Sequence, residues 1–202
     1  MKNIDELIDS ARELKGRGLN SGEIADELNV SRETANWLLT RSDDEAESPP
    51  SDIHLDWSSL GRSSYRLSLA ASALTDLLRD ELVEPPEVVV GIVKAGMPLA
   101  TLVAQEFDAS LAEYTPRKQK WSGDDYDDLS GSFSRNFGAV EGRRCVVVDD
   151  VVTSGRTMSE AVRFVDEREG EPVGAAVLVN KSGEDSIDGV RVRSLLRVFR
   201  VE

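Results

Sequence analysis

Residues 145–157, Cys-Val-Val-Val-Asp-Asp-Val-Val-Thr-Ser-Gly-Arg-Thr, constrain the fold more than any other stretch of the chain. Cys145 to Val148 form a run of apolar β-formers whose pattern suits a short strand buried on both faces, as in a parallel sheet covered by helices. Asp149 and Asp150 fall where that strand is expected to end. Thr153, Ser154, Gly155, Arg156 and Thr157 then lead into Met158, Ala161, Val162 and Val165, which recur at helical spacing. A strand, a loop of small residues and a helix N-terminus aim backbone N–H groups and the positive end of the helix dipole at one point, which suits an anion. Carboxylates beside that cradle suit hydroxyls, so the ligand implied carries both, as a ribose 5-phosphate does. The plainer alternative is an ordinary strand–turn–helix of a parallel sheet.

The rest of 52–202 agrees with an α/β domain, because strand and helix patterns alternate. A helix is expected from about Ser63 to Leu82, with Leu67, Ala70, Ala71, Leu74 and Leu78 on its apolar face and Pro85-Pro86 ending it. Strand Glu87–Ile92 leads through Val93-Lys94-Ala95-Gly96 into another helix. A strand near Ser110–Tyr114 precedes a polar stretch, 116–138, and the strand of the 145–157 run follows with its helix. Strand Gly174–Asn180 and a C-terminal β region, Val190–Val201, complete the pattern.

Residues 42–51, Ser-Asp-Asp-Glu-Ala-Glu-Ser-Pro-Pro-Ser, have linker composition and set 1–41 apart. That first part reads as all-helical. Ile4, Leu7, Ile8, Ala11 and Leu14 share one helical face, and Gly16 and Gly18 stop it. Asn20-Ser-Gly-Glu23 matches a capping box opening a second helix, with Ile24, Ala25 and Leu28 turned inward. Asn29-Val30 makes a tight turn, and Ser31 caps a third helix with Ala35, Leu38 and Leu39 on one face. Two short helices joined this way resemble a helix-turn-helix, with Ala25 at the close contact. Asn29 stands where that motif usually has glycine, and Ala35 where it usually has a β-branched residue. Candidate DNA-reading residues are Ser31, Arg32, Glu33, Thr34 and Asn36 toward the exposed start of the third helix, with Arg41 near a phosphate. The segment carries 6 basic and 8 acidic residues, so a helical dimerisation or packing module is the other reading.

The 145–157 run resembles the 13-residue signature of the type I phosphoribosyltransferases, which bind 5-phosphoribosyl pyrophosphate (PRPP). The resemblance implies ribose contacts from Asp149 and Asp150, and a 5-phosphate held by Thr153, Ser154, Gly155, Arg156 and Thr157. It implies pyrophosphate held on backbone amides by Lys94, Ala95 and Gly96. Mg²⁺ would arrive with PRPP or pyrophosphate near the two aspartates, rather than in a protein cage. Arg117-Lys118-Gln119-Lys120 resembles the cationic catalytic loop of orotate phosphoribosyltransferases, so Arg117, Lys118 and Lys120 are the catalytic candidates if the protein is an enzyme. The departures are an acidic run (Asp124, Asp125, Asp127, Asp128) and no histidine in that loop. Asn180-Lys181 also stands where those enzymes place Asp-Arg, so the resemblance implies that Lys181 is on the base side, a point charge in place of the guanidinium fork that suits the orotate carboxylate.

A phosphoribosyltransferase-like domain behind a helix-turn-helix resembles purine-operon repressors in principle, and most closely the GfcR family of haloarchaeal transcriptional regulators. That resemblance implies a cytoplasmic, dimeric DNA-binding regulator of central sugar catabolism. It would recognise inverted-repeat promoter sites and sense a phosphorylated effector: PRPP, a nucleotide or a sugar phosphate. The alternative is an active phosphoribosyltransferase using PRPP. Charge fits the haloarchaeal likeness: 38 acidic residues face 24 basic ones, only 6 of them Lys. An acidic mesophilic protein would share that balance, and acidity ordinarily opposes nucleic-acid binding, an argument that weakens at molar salt. No apolar run reaches the roughly 18–20 residues of a membrane span, and a signal-peptide pattern is absent, so a cytosolic protein is expected. Cys145, the single cysteine, and His54, the single histidine, argue against zinc sites, disulfides and Cys–His catalysis.

Overall fold

In the computed structural model, which describes residues 4–41, 50, 52–116, 132–134 and 136–198, the apolar runs of the second part become a seven-stranded sheet. Its strands, in chain order, are β1 (Val88–Ile92), β2 (Ser110–Thr115), β3 (Ser132–Phe133), β4 (Arg144–Val152), β5 (Glu171–Asn180), β6 (Ser186–Ile187) and β7 (Val190–Arg197). The order across the sheet is β3-β2-β1-β4-β5-β7-β6. The five inner strands are parallel, and the two-residue strands at the edges pair antiparallel. The α/β class expected from the sequence, a parallel sheet flanked by helices, is therefore present.

Helices are α1 (Ile4–Gly16), α2 (Ser21–Glu27), α3 (Arg32–Thr40), α4 (Ser58–Gly61), α5 (Ser64–Glu81), α6 (Gly96–Phe107) and α7 (Arg156–Glu167). Residues on alternate sides of each inner strand meet different helices. Val88, Val90, Cys145, Val147, Ala175 and Val177 join Met158, Ala161, Val162 and Val165 of α7 in one core. On the opposite side, a Cβ built on Gly91 would overlap Met97 and Ala100 of α6, and one on Gly174 would touch Leu78 of α5. Burial on both sides explains why every residue of β1 is buried and why these strands read as continuous apolar runs. Tyr114, Phe133 and Phe164 stack with ring centroids 5.0–5.9 Å apart, which fixes β3 to the sheet edge.

Two expectations need correction. The strand of the 145–157 run does not end at Asp149: β4 continues to Val152, with Asp149, Val151 and Val152 in register with Val177, Val179 and Asn180 of β5. The ladder to β5 outweighs the weak strand propensity of two aspartates. β5 likewise begins at Glu171, three residues before the expected start at Gly174.

The chain divides into two compact units, Met1–Ser59 and Leu60–Glu202. Residues 52–59, which the sequence pattern groups with the sheet, belong to the first. In that unit Leu7, Ile8, Ala11, Leu14, Ile24, Ala25, Leu28, Val30, Ala35 and Leu38 form one core. The capping box forms as expected: Asn20 Oδ1 accepts from Gly22 and Glu23 N–H, and the Glu23 carboxylate accepts from Asn20 N–H at 2.6 Å. Asn29 takes φ 54°, so asparagine fills the left-handed turn position. The segment after the linker closes over this turn: Asp52 Oδ2 accepts from Ser31 N–H at 2.5 Å, and His54 Nδ1–H donates to Leu28 O at 3.1 Å.

Candidate functional site

The direction of the sheet reverses between β1 and β4. From β1 the chain passes through α6 to β2 on one side, and from β4 through α7 to β5 on the other. Loops leaving the carboxyl ends of two such strands part from each other, and the crevice between them is where α/β sheets take ligands. The two anion-binding stretches expected from the sequence both stand at this point. Residues 93–95 connect β1 to α6, and 153–155 connect β4 to α7.

Gly96 brings the two loops together. It is buried at the start of α6, and a Cβ built on it would lie 2.7 Å from Val148 O, 2.9 Å from Asp149 Cα and 3.0 Å from Asp149 Oδ1. Glycine is required there because the α6 N-terminus lies directly against the β4 backbone. Lys94 is exposed, Ala95 is half-buried, and the Val93–Lys94 peptide is cis. No side chain caps α6.

Gly155 caps α7 with φ +76°, a left-handed conformation suited to glycine, and contributes no side chain of its own. The first-turn N–H groups of α7 have no partner within the helix and point out of its end, as an anion site requires. Thr153 and Thr157 are half-buried, while Ser154 and Arg156 are exposed. Asp149 and Asp150 are half-buried just before this loop, and Asp149 Oδ1 accepts from the Asp150 N–H at 2.9 Å. Cys145, by contrast, is wholly buried lower in β4, and burial pushes its thiol up to about 12, so it is a packing residue.

At the end of β5, Asn180 is committed to structure. The residue is 2% exposed, and its side chain donates to Glu184 O at 2.8 Å and accepts from Ser182 N–H and Oγ at 2.9 and 2.7 Å. Lys181 follows half-buried, its N–H bonded to Val152 O at 2.8 Å. The chain then makes the β6–β7 hairpin, which sequence reasoning missed. Its turn, Asp188-Gly189, has φ 49° and 82°, as a type I′ turn needs, and that dipeptide was the available signal. Arg117, Lys118 and Lys120 lie outside the described residues. Among the described residues no group of three or more His, Cys, Asp or Glu side chains is placed to hold a metal ion. Asp149 and Asp150 can supply two carboxylates at most, which fits a Mg²⁺ that keeps most of its ligands from elsewhere.

In the first unit, Arg32, Glu33 and Asn36 are exposed on α3. Thr34, expected on that exposed face, is buried: its N–H and hydroxyl both bond the Ser31 Oγ, at 3.1 and 2.9 Å. Ser31 is thus the helix cap. Arg41 closes the helix with its guanidinium 5.1 Å from the Trp37 ring centroid.

Residues 56–194 match the phosphoribosyl transferase domain family. Over its full length the chain is 53% identical to the transcriptional regulator GfcR of Halorubrum lacusprofundi, covering 99% of that protein. It is 50% identical to the GfcR of Haloferax volcanii, again over the full chain and 99% of that protein. GfcR of Methanothrix thermoacetophila is 50% identical, with both chains covered completely. Among solved structures, the orotate phosphoribosyltransferase of Aeropyrum pernix has the same fold, with a TM-score of 0.59 and 20% identity over 89% of this chain and 94% of that one. The Mycobacterium tuberculosis orotate phosphoribosyltransferase solved with PRPP aligns over 71% of this chain and 80% of that one, with a TM-score of 0.53 and 24% identity.

Proposed function

The chain belongs to the phosphoribosyl transferase domain family and, within it, to the GfcR proteins, and from that premise we propose that it is a DNA-binding transcription regulator gated by a phosphoribosyl ligand. The single observation that carries this reading is the pairing of an anion cradle at the sheet's switch point with a separate three-helix unit that exposes Arg32 and Asn36 on one helix. The names of the full-length relatives support a regulatory role.

The ligand would lie across the crevice. Its 5-phosphate would take the N–H groups of 154–157, its ribose hydroxyls Asp149 and Asp150, and its pyrophosphate the 94–96 backbone. Mg²⁺, carried in by the pyrophosphate, would neutralise charge that the two aspartates otherwise repel. PRPP carries all three groups, whereas a nucleotide or a sugar phosphate would fill the phosphate and hydroxyl positions and leave the 94–96 backbone to a separate anion. α2 and α3 would act as a helix-turn-helix, α3 reading the major groove. A cytoplasmic homodimer would present two such helices about 34 Å apart to an inverted-repeat promoter site. Control of central sugar catabolism is the physiological role proposed. The ligand regulates only in so far as it binds one arrangement of the DNA-reading units more tightly than another.

Genome-wide occupancy mapping of the full chain against a chain lacking 1–41 tests the DNA half of the reading. Occupancy should vanish with the deletion and fall sharply in an Arg32→Ala, Asn36→Ala double variant. Full occupancy by either would overturn it.

A second reading, a working transferase, is favoured by the fully formed β4–loop–α7 site. Its chemistry would displace pyrophosphate from C1 of PRPP, with the crevice positioning the reactants and stabilising charge. Brisk pyrophosphate release from PRPP with orotate, uracil or a purine in molar KCl would favour it over a dedicated regulator.

A further inference from the structure

The β6–β7 hairpin touches the anion cradle although nothing in the ligand reading accounts for it. Ile187 of β6 lies against Gly155: a Cβ built on that glycine would stand 3.2 Å from Ile187 Cδ1 and 3.7 Å from Cγ1. The hairpin tip is tied to the flank of α7. The Asp188 carboxylate accepts from Arg163 Nε at 3.1 Å, Arg163 Nη2 at 2.8 Å and Ser159 Oγ at 2.5 Å. Its root is held by the buried Asn180 side chain. Both ends of the excursion from β5 are therefore fixed, and Ile187 between them closes the back of the loop that begins α7.

The tie at the tip is mostly on the surface, since the Arg163 side chain is 67% exposed. Such a pair adds little to global stability. Its two-pronged geometry fixes orientation instead, because a guanidinium fork on one carboxylate admits few alternatives. The Asp188 carboxyl is held below its usual range by the Arg163 hydrogen bonds and then by Ser159, so the tie stays charged at neutral pH.

We propose that Ser159, Arg163 and Asp188 form a latch that seats Ile187 against Gly155 and thereby shapes the loop receiving the phosphate end of the ligand. This positioning role rests on the ligand reading above. The directions of the 155–157 N–H groups follow from the left-handed conformation of Gly155. With Ile187 behind it the loop is pre-set; with the hairpin released, the loop spends only part of its time competent. Apparent affinity falls in proportion to that fraction.

The test measures binding of ribose 5-phosphate and, separately, of Mg-pyrophosphate to the full chain by calorimetry at one fixed salt concentration. The variants are Arg163→Gln, Asp188→Asn, which removes the charge but suits the left-handed turn position at φ 49°, and Ile187→Ala, and urea unfolding is recorded for each. Loss of nine-tenths of the competent population predicts a dissociation constant about tenfold higher for ribose 5-phosphate in all three. Mg-pyrophosphate, which uses the 94–96 loop, should be unaffected, and unfolding midpoints should be close to wild type in Arg163→Gln and Asp188→Asn but lower in Ile187→Ala, whose side chain packs on the core. A parallel loss for both ligands would reveal general destabilisation and overturn the latch. Weakening in Arg163→Gln alone would also overturn it, because the effect would then be the bare Asp188 charge. Wild-type affinity in all three variants would remove the latch while leaving the site intact. Failure of the wild-type chain to bind ribose 5-phosphate would instead remove the ligand reading, and the latch with it.

Discussion

Replacing Gly96 with alanine adds one methyl group where the structure has no room for it. The new Cβ would stand 2.7 Å from Val148 O and 2.9 Å from Asp149 Cα. Both atoms are backbone of β4, which is paired on its two sides to β1 and β5 and cannot yield by a rotamer change. The start of α6 must move instead. Overpacking of this kind costs about 1–3 kcal/mol, while exchanging glycine for alanine in a helix returns about 0.5–1 kcal/mol, so a net loss of about 1 kcal/mol is expected. The functional loss should be larger than the stability loss suggests, because the shift separates the 94–96 amides from Asp149. A tenfold weaker Mg-pyrophosphate affinity corresponds to about 1.4 kcal/mol. Urea unfolding with hydrogen exchange at β4 amides, alongside calorimetry, measures both. Gly16→Ala, at the last residue of α1, is the control, since nothing lies within 4 Å of where its new methyl would stand, and it should be neutral or stabilise by up to about 0.5 kcal/mol. If Gly96→Ala were tolerated as Gly16→Ala is and left pyrophosphate binding unchanged, the close approach of the two loops would not be what organises the crevice.

Three further outcomes are expected. Because burial holds the Cys145 thiol at about 12 against an ordinary 9.0, the neutral form is favoured in the folded state. Its stabilisation is full below pH 9 and is lost as pH rises from 9 toward 12, so unfolding free energy should decline over that window and decline less in Cys145→Ala; iodoacetamide at pH 8 should leave the folded thiol unmodified. Asn180→Ala should destabilise the second unit by about 1–3 kcal/mol in urea unfolding, because Ser182 N–H and Glu184 O lose the partner that orders this turn. Asn29→Ala should cost the first unit about 1–2 kcal/mol, since φ is 54° there, whereas Asn29→Gly should be tolerated, as circular-dichroism melts would report.

Much of the architecture was legible because burial and periodicity coincide. Val88–Ile92 and Cys145–Val148 are apolar on every position, and the structure buries them on both faces; Met158, Ala161, Val162 and Val165 recur helically and are buried together. Asn20 and Glu23 announced a capping box through local chemistry alone. What escaped depends on partners far along the chain. β4 runs on through two aspartates because β5 is there to pair with it, and a local reading sees only residues that disfavour strands. Asp52 and His54 dock on the Leu28–Ser31 turn across a polar segment with no periodicity, which hid where the first unit ends. Thr34 looked exposed because its polarity suggests it, yet the Ser31 cap satisfies its hydroxyl and lets it be buried. The two loops of the crevice could be named from sequence, but their contact at Gly96 and the hairpin behind Gly155 could not, since each joins segments more than 30 residues apart.

If the chain is a ligand-gated regulator, one phosphoribosyl ligand and one DNA site must be coupled through it. The direct measurement is the affinity for a promoter fragment found by occupancy mapping, titrated with and without saturating Mg-PRPP, and the affinity for Mg-PRPP with and without that fragment. Coupling of the usual size would change each affinity by about 5- to 150-fold, and linkage requires the two factors to be equal. Equal factors are expected in the wild-type chain, and both should disappear in the Asp149→Asn, Asp150→Asn double variant. Tight Mg-PRPP binding that leaves DNA affinity unchanged would contradict the coupling.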